Sequence, residues 1–206
     1  MKIAVLASGE GTTLQAVLDA CASGRLPARV AVVISNNAAA GALRRARSAG
    51  VPTRHLSAAT AGGPAAQDQA LSNILVEFGI DLVLLAGYMK RLGPLTLADC
   101  AGRIINTHPA LLPQFGGQGM YGLNVHRAVL AAGLPVSGAS VHWVDENYDT
   151  GAVIAQVRVP VESGDSAQSL AARVQAAERE LVIEVLAAAA CGRLGPPQQR
   201  RAGATS

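Results

Sequence analysis

Lys2-Ile3-Ala4-Val5-Leu6-Ala7-Ser8-Gly9-Glu10-Gly11-Thr12-Thr13, continuing to Ala22, decides the fold. Lys2–Ala7 is a short apolar run of β-formers, and Ser8–Gly11 breaks it. From Thr12 to Ala22 the pattern turns helical, with Leu14, Val17, Leu18 and Cys21 on one face. Strand, glycine turn and helix in that order open a βαβ unit.

The alternation repeats downstream. Arg29–Ile34 reads as a strand, Gly41–Ala49 as a helix and Val51–Leu56 as a short strand. Ala58–Pro64 reads as a small-residue loop before a helix around Ala65–Phe78. Asp81–Ala86 is almost continuously apolar, as a parallel strand covered on both faces must be. Arg103–Thr107 is a further strand, and the glycine-rich loop Gly116–Gly122 precedes a helix at about Asn124–Ala132. Val136–Val144 and Ala152–Val161 are strands joined by the polar loop Asp145–Gly151, and Ser166–Ala190 is a long amphipathic helix. This order predicts an α/β fold: a doubly wound, mostly parallel sheet with helices on both faces. Residues 1–191 are expected to form one domain, and residues 192–206 a flexible basic tail.

Composition narrows the class. Of 206 residues, 50% are hydrophobic and 15% charged, which excludes an intrinsically disordered chain. The net charge of +3 comes from Arg193, Arg200 and Arg201, because the 14 acidic residues match the 14 basic residues that precede them. The charge balance therefore gives no reason to expect a nucleic-acid partner. No apolar run reaches the ~18 residues of a membrane span. The N-terminal apolar run is too short for a signal peptide, so the expected location is cytoplasmic. Cys21, Cys100 and Cys191 read as buried thiols rather than a disulfide framework.

In doubly wound sheets, ligands sit beyond the carboxyl ends of the strands, and the chemistry-bearing motifs fall there. Ser8–Thr13 suits a phosphate, which backbone N–H groups, a helix N-terminus and threonine hydroxyls can bind. A dinucleotide fits poorly, since Leu14 occupies the third glycine position and no acidic residue follows the second strand. The alternative is a plain strand–helix turn with Thr12 as N-cap, and Glu10 must point away from any anion. In Ile104-Ile105-Asn106-Thr107-His108-Pro109, Asn106 and His108 project to the same side at a strand end. An amide and an imidazole together can hold an oxygen that becomes negative and manage protons on an attacking amine. Asp145–Gly151 reads either as a solvated hairpin loop of turn residues or as the source of a carboxylate for His108, for which Asp149, nearest the next strand, is the candidate that would push the His108 pKa up. His142 and Trp143 read as structural strand residues.

These pieces together resemble the phosphoribosylglycinamide formyltransferase family, within the wider 10-formyltetrahydrofolate formyltransferases. The resemblance covers about residues 1–190. It rests on Ser8–Thr13, on Asn106-Thr107-His108-Pro109-Ala110-Leu111-Leu112-Pro113, and on Ser140-Val141-His142 followed by Asp149-Thr150-Gly151. Ala86-Gly87-Tyr88-Met89 and Arg173-Val174-Gln175 with Glu178 extend it. It implies a Rossmann-like fold and direct formyl transfer from 10-formyltetrahydrofolate to the amine of 5-phosphoribosylglycinamide in purine biosynthesis.

By matching position, Asn106 and His108 bind the formyl oxygen and Asp149 keeps His108 protonated. Gly11, Thr12 and Thr13 hold the substrate phosphate, and Glu178 contacts its ribose. Met89, Lys90, Arg91 and Leu92, with Asn106 and the loop Asp145, Glu146, Asn147 and Tyr148, line the folate pocket. The folate is implied as a cosubstrate, with no metal and no tightly bound cofactor. The partners are small molecules, without nucleic acid or membrane, and the chain is implied to be a monomer or homodimer. Thr13, Pro64 and Asn124 depart from the family pattern, Pro64 where an arginine near the folate tail is usual. Arg54 or Arg91 is the expected substitute. Competing readings are a relative with water or a sugar amine as acceptor, and a non-catalytic phosphate-binding module.

Overall fold

The computed structural model describes residues 1–195. The expected tail therefore lies outside the described residues from position 196 onward. The elements run β1 (Lys2–Leu6), α1 (Thr12–Ala22), β2 (Arg29–Ser35), α2 (Gly41–Ser48), β3 (Thr53–His55), α3 (Ala58–Ala61) and α4 (Pro64–Glu77). They continue with β4 (Leu82–Leu85), α5 (Pro94–Asp99), β5 (Ile104–His108), α6 (Leu123–Ala131), β6 (Val136–Trp143), β7 (Val153–Pro160) and α7 (Ala167–Ala190). One seven-stranded sheet has the order β3-β2-β1-β4-β5-β6-β7. Strands β1 to β5 pair in parallel, while β6 pairs antiparallel with β5 and with β7. The doubly wound, mostly parallel α/β fold is as predicted.

Alternation along each strand feeds two cores. Ile3 and Val5 of β1, Leu82 and Leu84 of β4 and Ile105 of β5 pack with apolar residues of α1, α2 and α7. Ala4 and Leu6, Val83 and Leu85, and Ile104 pack with Leu71 and Leu75 of α4 on the opposite face. Thr107 thus faces α7, while Asn106 and His108 lie on the opposite pleat.

Two short helices were not expected. α3 replaces the predicted loop and opens with a capping box between Ser57 and Thr60. α5 has no side-chain cap of its own, since Gly93 stands at its N-cap. Asp68 of α4 supplies one, accepting from Leu95 N at 2.9 Å, Thr96 N at 3.0 Å and Thr96 Oγ1 at 2.6 Å. Of the cysteines, only Cys100 is buried; Cys191 follows α7 and is exposed, contrary to the expectation of buried thiols.

Candidate active site

The first loop is shaped by backbone needs. Gly11, not Thr12, is the N-cap of α1, with φ 73 and no side-chain cap. A Cβ there would meet Ala42 Cα at 2.7 Å, so conformation and space both require glycine. The first-turn N–H groups of α1 are left for an outside acceptor. The Glu10 carboxylate turns toward Arg44, 3.6 Å away. Thr13 Oγ1 donates to Glu178 Oε1 at 3.3 Å, and Thr107 Oγ1 donates to the same oxygen at 3.1 Å. Glu178 thereby joins the α1 loop to β5. Burial pushes its carboxyl up, against the two threonine hydrogen bonds.

Strand β5 ends where the sheet changes direction. Asp149 Oδ2 lies 3.4 Å from His108 Nδ1 and accepts from Gly117 N at 2.9 Å. Its Oδ1 accepts from Asn106 Nδ2 at 3.4 Å. One carboxylate thus gathers the strand end and the glycine loop. Asp149 has φ 56, a left-handed conformation that aspartate tolerates better than most residues. Burial pushes its carboxyl up, but the neighbouring His142 and His108 imidazoles and the Gly117 N–H hold it below the ordinary value.

His108 is 3% exposed, and its Nε2 lies 2.7 Å from the Phe115 carbonyl. A carbonyl only accepts, so Nε2 carries a proton. The net shift of His108 reverses the expected direction. Burial pushes its pKa down and outweighs Asp149 and the Phe115 carbonyl, which push it up; His142 adds to the fall. Asp149 does act upward as predicted, but depth of burial is the larger effect.

His142 is the residue that the strand reading missed. β5–β6 register sets it opposite Asn106, and its Nε2 lies 3.1 Å from Asn106 Nδ2. Its Nδ1 faces the Trp143 carbonyl at 2.7 Å, which fixes the proton there. The neutral ring therefore accepts from Asn106; protonated, it would donate to Asp149 Oδ1, 3.5 Å away. Only antiparallel register reveals this pairing. Trp143 is buried in the core as read. His126 of α6 is 1% exposed, and its Nδ1 has no hydrogen-bond partner among the described residues; burial and His108 push its pKa down.

Lys90, Arg91 and Leu92 line a shallow open cleft together with Asp145, Glu146, Asn147, Tyr148 and Asp149, and Leu85 and Leu97 belong to the same lining. Met89 and Asn106 both lie outside this lining, and Met89 is half exposed. Asp145 orders the loop by accepting from Asn147 N at 2.9 Å and Thr150 Oγ1 at 2.7 Å. Arg91 lies 5.2 Å over the Tyr148 ring and donates to the Glu146 carbonyl. Arg54 is engaged elsewhere, with Glu77 at 3.4 Å and over the Phe78 ring at 5.3 Å. Pro64 starts α4, where its fixed φ suits the first helical position.

Residues 1–186 match the family model described as Formyl transferase. A phosphoribosylglycinamide formyltransferase from Escherichia coli (strain K12) is 41% identical over 194 residues, 94% of this chain and 89% of that protein. A chloroplastic phosphoribosylglycinamide formyltransferase from Vigna unguiculata is 42% identical over 188 residues; the match covers 91% of this chain but 60% of that longer protein. The crystal structure of glycinamide ribonucleotide transformylase 1 from Symbiobacterium toebii superposes with a TM-score of 0.87 at 44% identity, over 94% of this chain and 89% of that one. This chain belongs to the formyl transferase family, on its phosphoribosylglycinamide formyltransferase branch.

Proposed function

We propose that the chain transfers the formyl group of 10-formyltetrahydrofolate to the amine of 5-phosphoribosylglycinamide, with Asn106, His108 and Asp149 as the reacting groups. The observation that carries this is the single Asp149 carboxylate shared by Asn106, His108 and the Gly117 N–H. Gly11, Thr12 and Thr13 hold the phosphate at the α1 N-terminus, and Glu178 takes the ribose hydroxyls. The folate lies in the cleft of Lys90–Leu92 and Asp145–Asp149 as a cosubstrate, with Met89 at its rim.

The amine lone pair attacks the formyl carbon, a C–N bond forms, and the carbonyl π pair moves onto oxygen. The Asn106 amide and the His108 Nε2–H donate to that oxygen, leaving His142 and the Phe115 carbonyl to do so. Asp149 accepts a proton from the attacking nitrogen, directly or through water. The proton passes to the departing folate nitrogen as the old C–N bond breaks and the carbonyl reforms. The growing negative charge on oxygen favours a cationic His108 ring, against the downward pull of burial.

The reading includes a cytoplasmic monomer or homodimer acting on small molecules, without metal or nucleic acid. Among the described residues, no helix is long and apolar enough to cross a membrane. The test follows 10-formyl folate consumption by absorbance with and without phosphoribosylglycinamide. Acceptor-dependent turnover is expected, lowered on the order of 10²-fold or more by His108→Ala. Equal turnover with water alone would overturn the acceptor assignment.

A further inference from the structure

Ser8 opens the phosphate loop, and it is also bonded to the start of the folate strap. Its N–H donates to the Gly87 carbonyl at 3.0 Å. Its hydroxyl oxygen accepts from Met89 N at 2.8 Å and donates to Asn36 Oδ1 at 2.5 Å. A hydroxyl has one proton, so the Asn36 amide fixes which lone pair meets Met89. Asn36 itself belongs to the turn after β2, whose Asn37 reaches the Ser8 carbonyl at 3.5 Å.

The strap from Met89 to Gly93 has no regular secondary structure, so these bonds fix its near end. The phosphate loop is pinned on its other side, where Ala42 N donates to the Gly9 carbonyl at 3.1 Å and Gly11 packs on Ala42. The loop is thus held by α2 on one side and by the Ser8 bonds on the other.

We propose that Ser8 is a positioning residue that couples the two sites, so that filling either one strengthens binding at the other. The inference rests on the phosphate and folate sites proposed above. Ordering one site lowers the entropic cost of ordering the other, because both share the Ser8 bonds.

Titration calorimetry on the full chain tests it. A folate without a transferable formyl group is titrated with and without saturating phosphoribosylglycinamide. The ratio of the two folate affinities is expected to be on the order of fivefold or more. Ser8→Ala should bring the ratio close to unity, and Ser8→Thr, which keeps the hydroxyl, should restore it. A merely structural role would weaken both ligands and leave the ratio intact. If Ser8→Ala does not fold, Asn36→Ala removes the hydroxyl's acceptor and must lower the ratio. An unchanged ratio in the variants, or a ratio of unity in the parent, overturns the coupling while leaving the two sites standing. Failure of either ligand to bind the parent chain overturns the site reading itself.

Discussion

Gly151→Ala perturbs the catalytic loop without touching a reacting group. A Cβ at this position would stand 2.7 Å from the Trp143 carbonyl carbon and nearer still to its oxygen. Ordinary carbon–carbon contact begins at roughly 3.5–4.0 Å, so the backbone must retreat by about 1 Å. Trp143 cannot yield, because its N–H is held by the Ala152 carbonyl at 3.0 Å and its ring is buried in the core. The displacement therefore passes along the loop to Asp149, two residues before Gly151. A misplacement of about 1 Å in a catalytic group costs on the order of 10²-fold in rate. The phosphate loop lies on other elements and should keep its affinity, so kcat falls while KM for phosphoribosylglycinamide stays nearly constant. The overlap should also cost about 1–3 kcal/mol of stability, or roughly 2–10 °C in Tm. Steady-state kinetics with a circular-dichroism melt measures both. A folded variant within threefold of the parent kcat would refute the argument that Gly151 sets the position of Asp149.

Four further outcomes are expected. Gly11→Ala forces a side chain into the left-handed region against Ala42, and should raise KM for the phosphate substrate on the order of tenfold, about 1.4 kcal/mol, with kcat much less changed. The His108 ring should titrate below its ordinary 6.5 by NMR, and lower still in Asp149→Asn, which removes the carboxylate charge pushing it up. With the folded values of His108 and His126 both depressed, their contribution to stability is present above 6.5 and lost as pH falls through the folded values; urea unfolding at pH 7.5 and 5.5 reads it, and an equal midpoint at both counts against it. Asp68→Ala uncaps α5 and should cost about 2 kcal/mol, or roughly 4–8 °C in Tm.

Much of the fold is legible because its signals are local. The strand runs at Ile3–Leu6 and Leu82–Leu85 are apolar throughout, and α1 begins where helical spacing begins. α5 is not legible, because it spans six residues and takes its cap from Asp68 on another helix. The pairing of Asn106 and His108 at a strand end follows from period-two alternation alone. The place of His142 does not, since it depends on which residue of β6 stands opposite Asn106. The sign of the His108 shift is likewise hidden, because a neighbouring carboxylate can be guessed from a loop but depth of burial cannot.

Glu178 belongs to α7, the last element of the described chain, yet it receives the hydroxyls of Thr13 and Thr107. A ribosome delivers the chain from the other end, so the phosphate loop and β5 emerge long before their shared carboxylate. Until α7 docks, the nascent chain holds those two hydroxyls without their common acceptor, and the acceptor side of the site is unfinished. Competence to hold phosphoribosylglycinamide is thus expected only once α7 has emerged and docked, and translation products that stop before α7 carry a phosphate loop without the carboxylate that completes it.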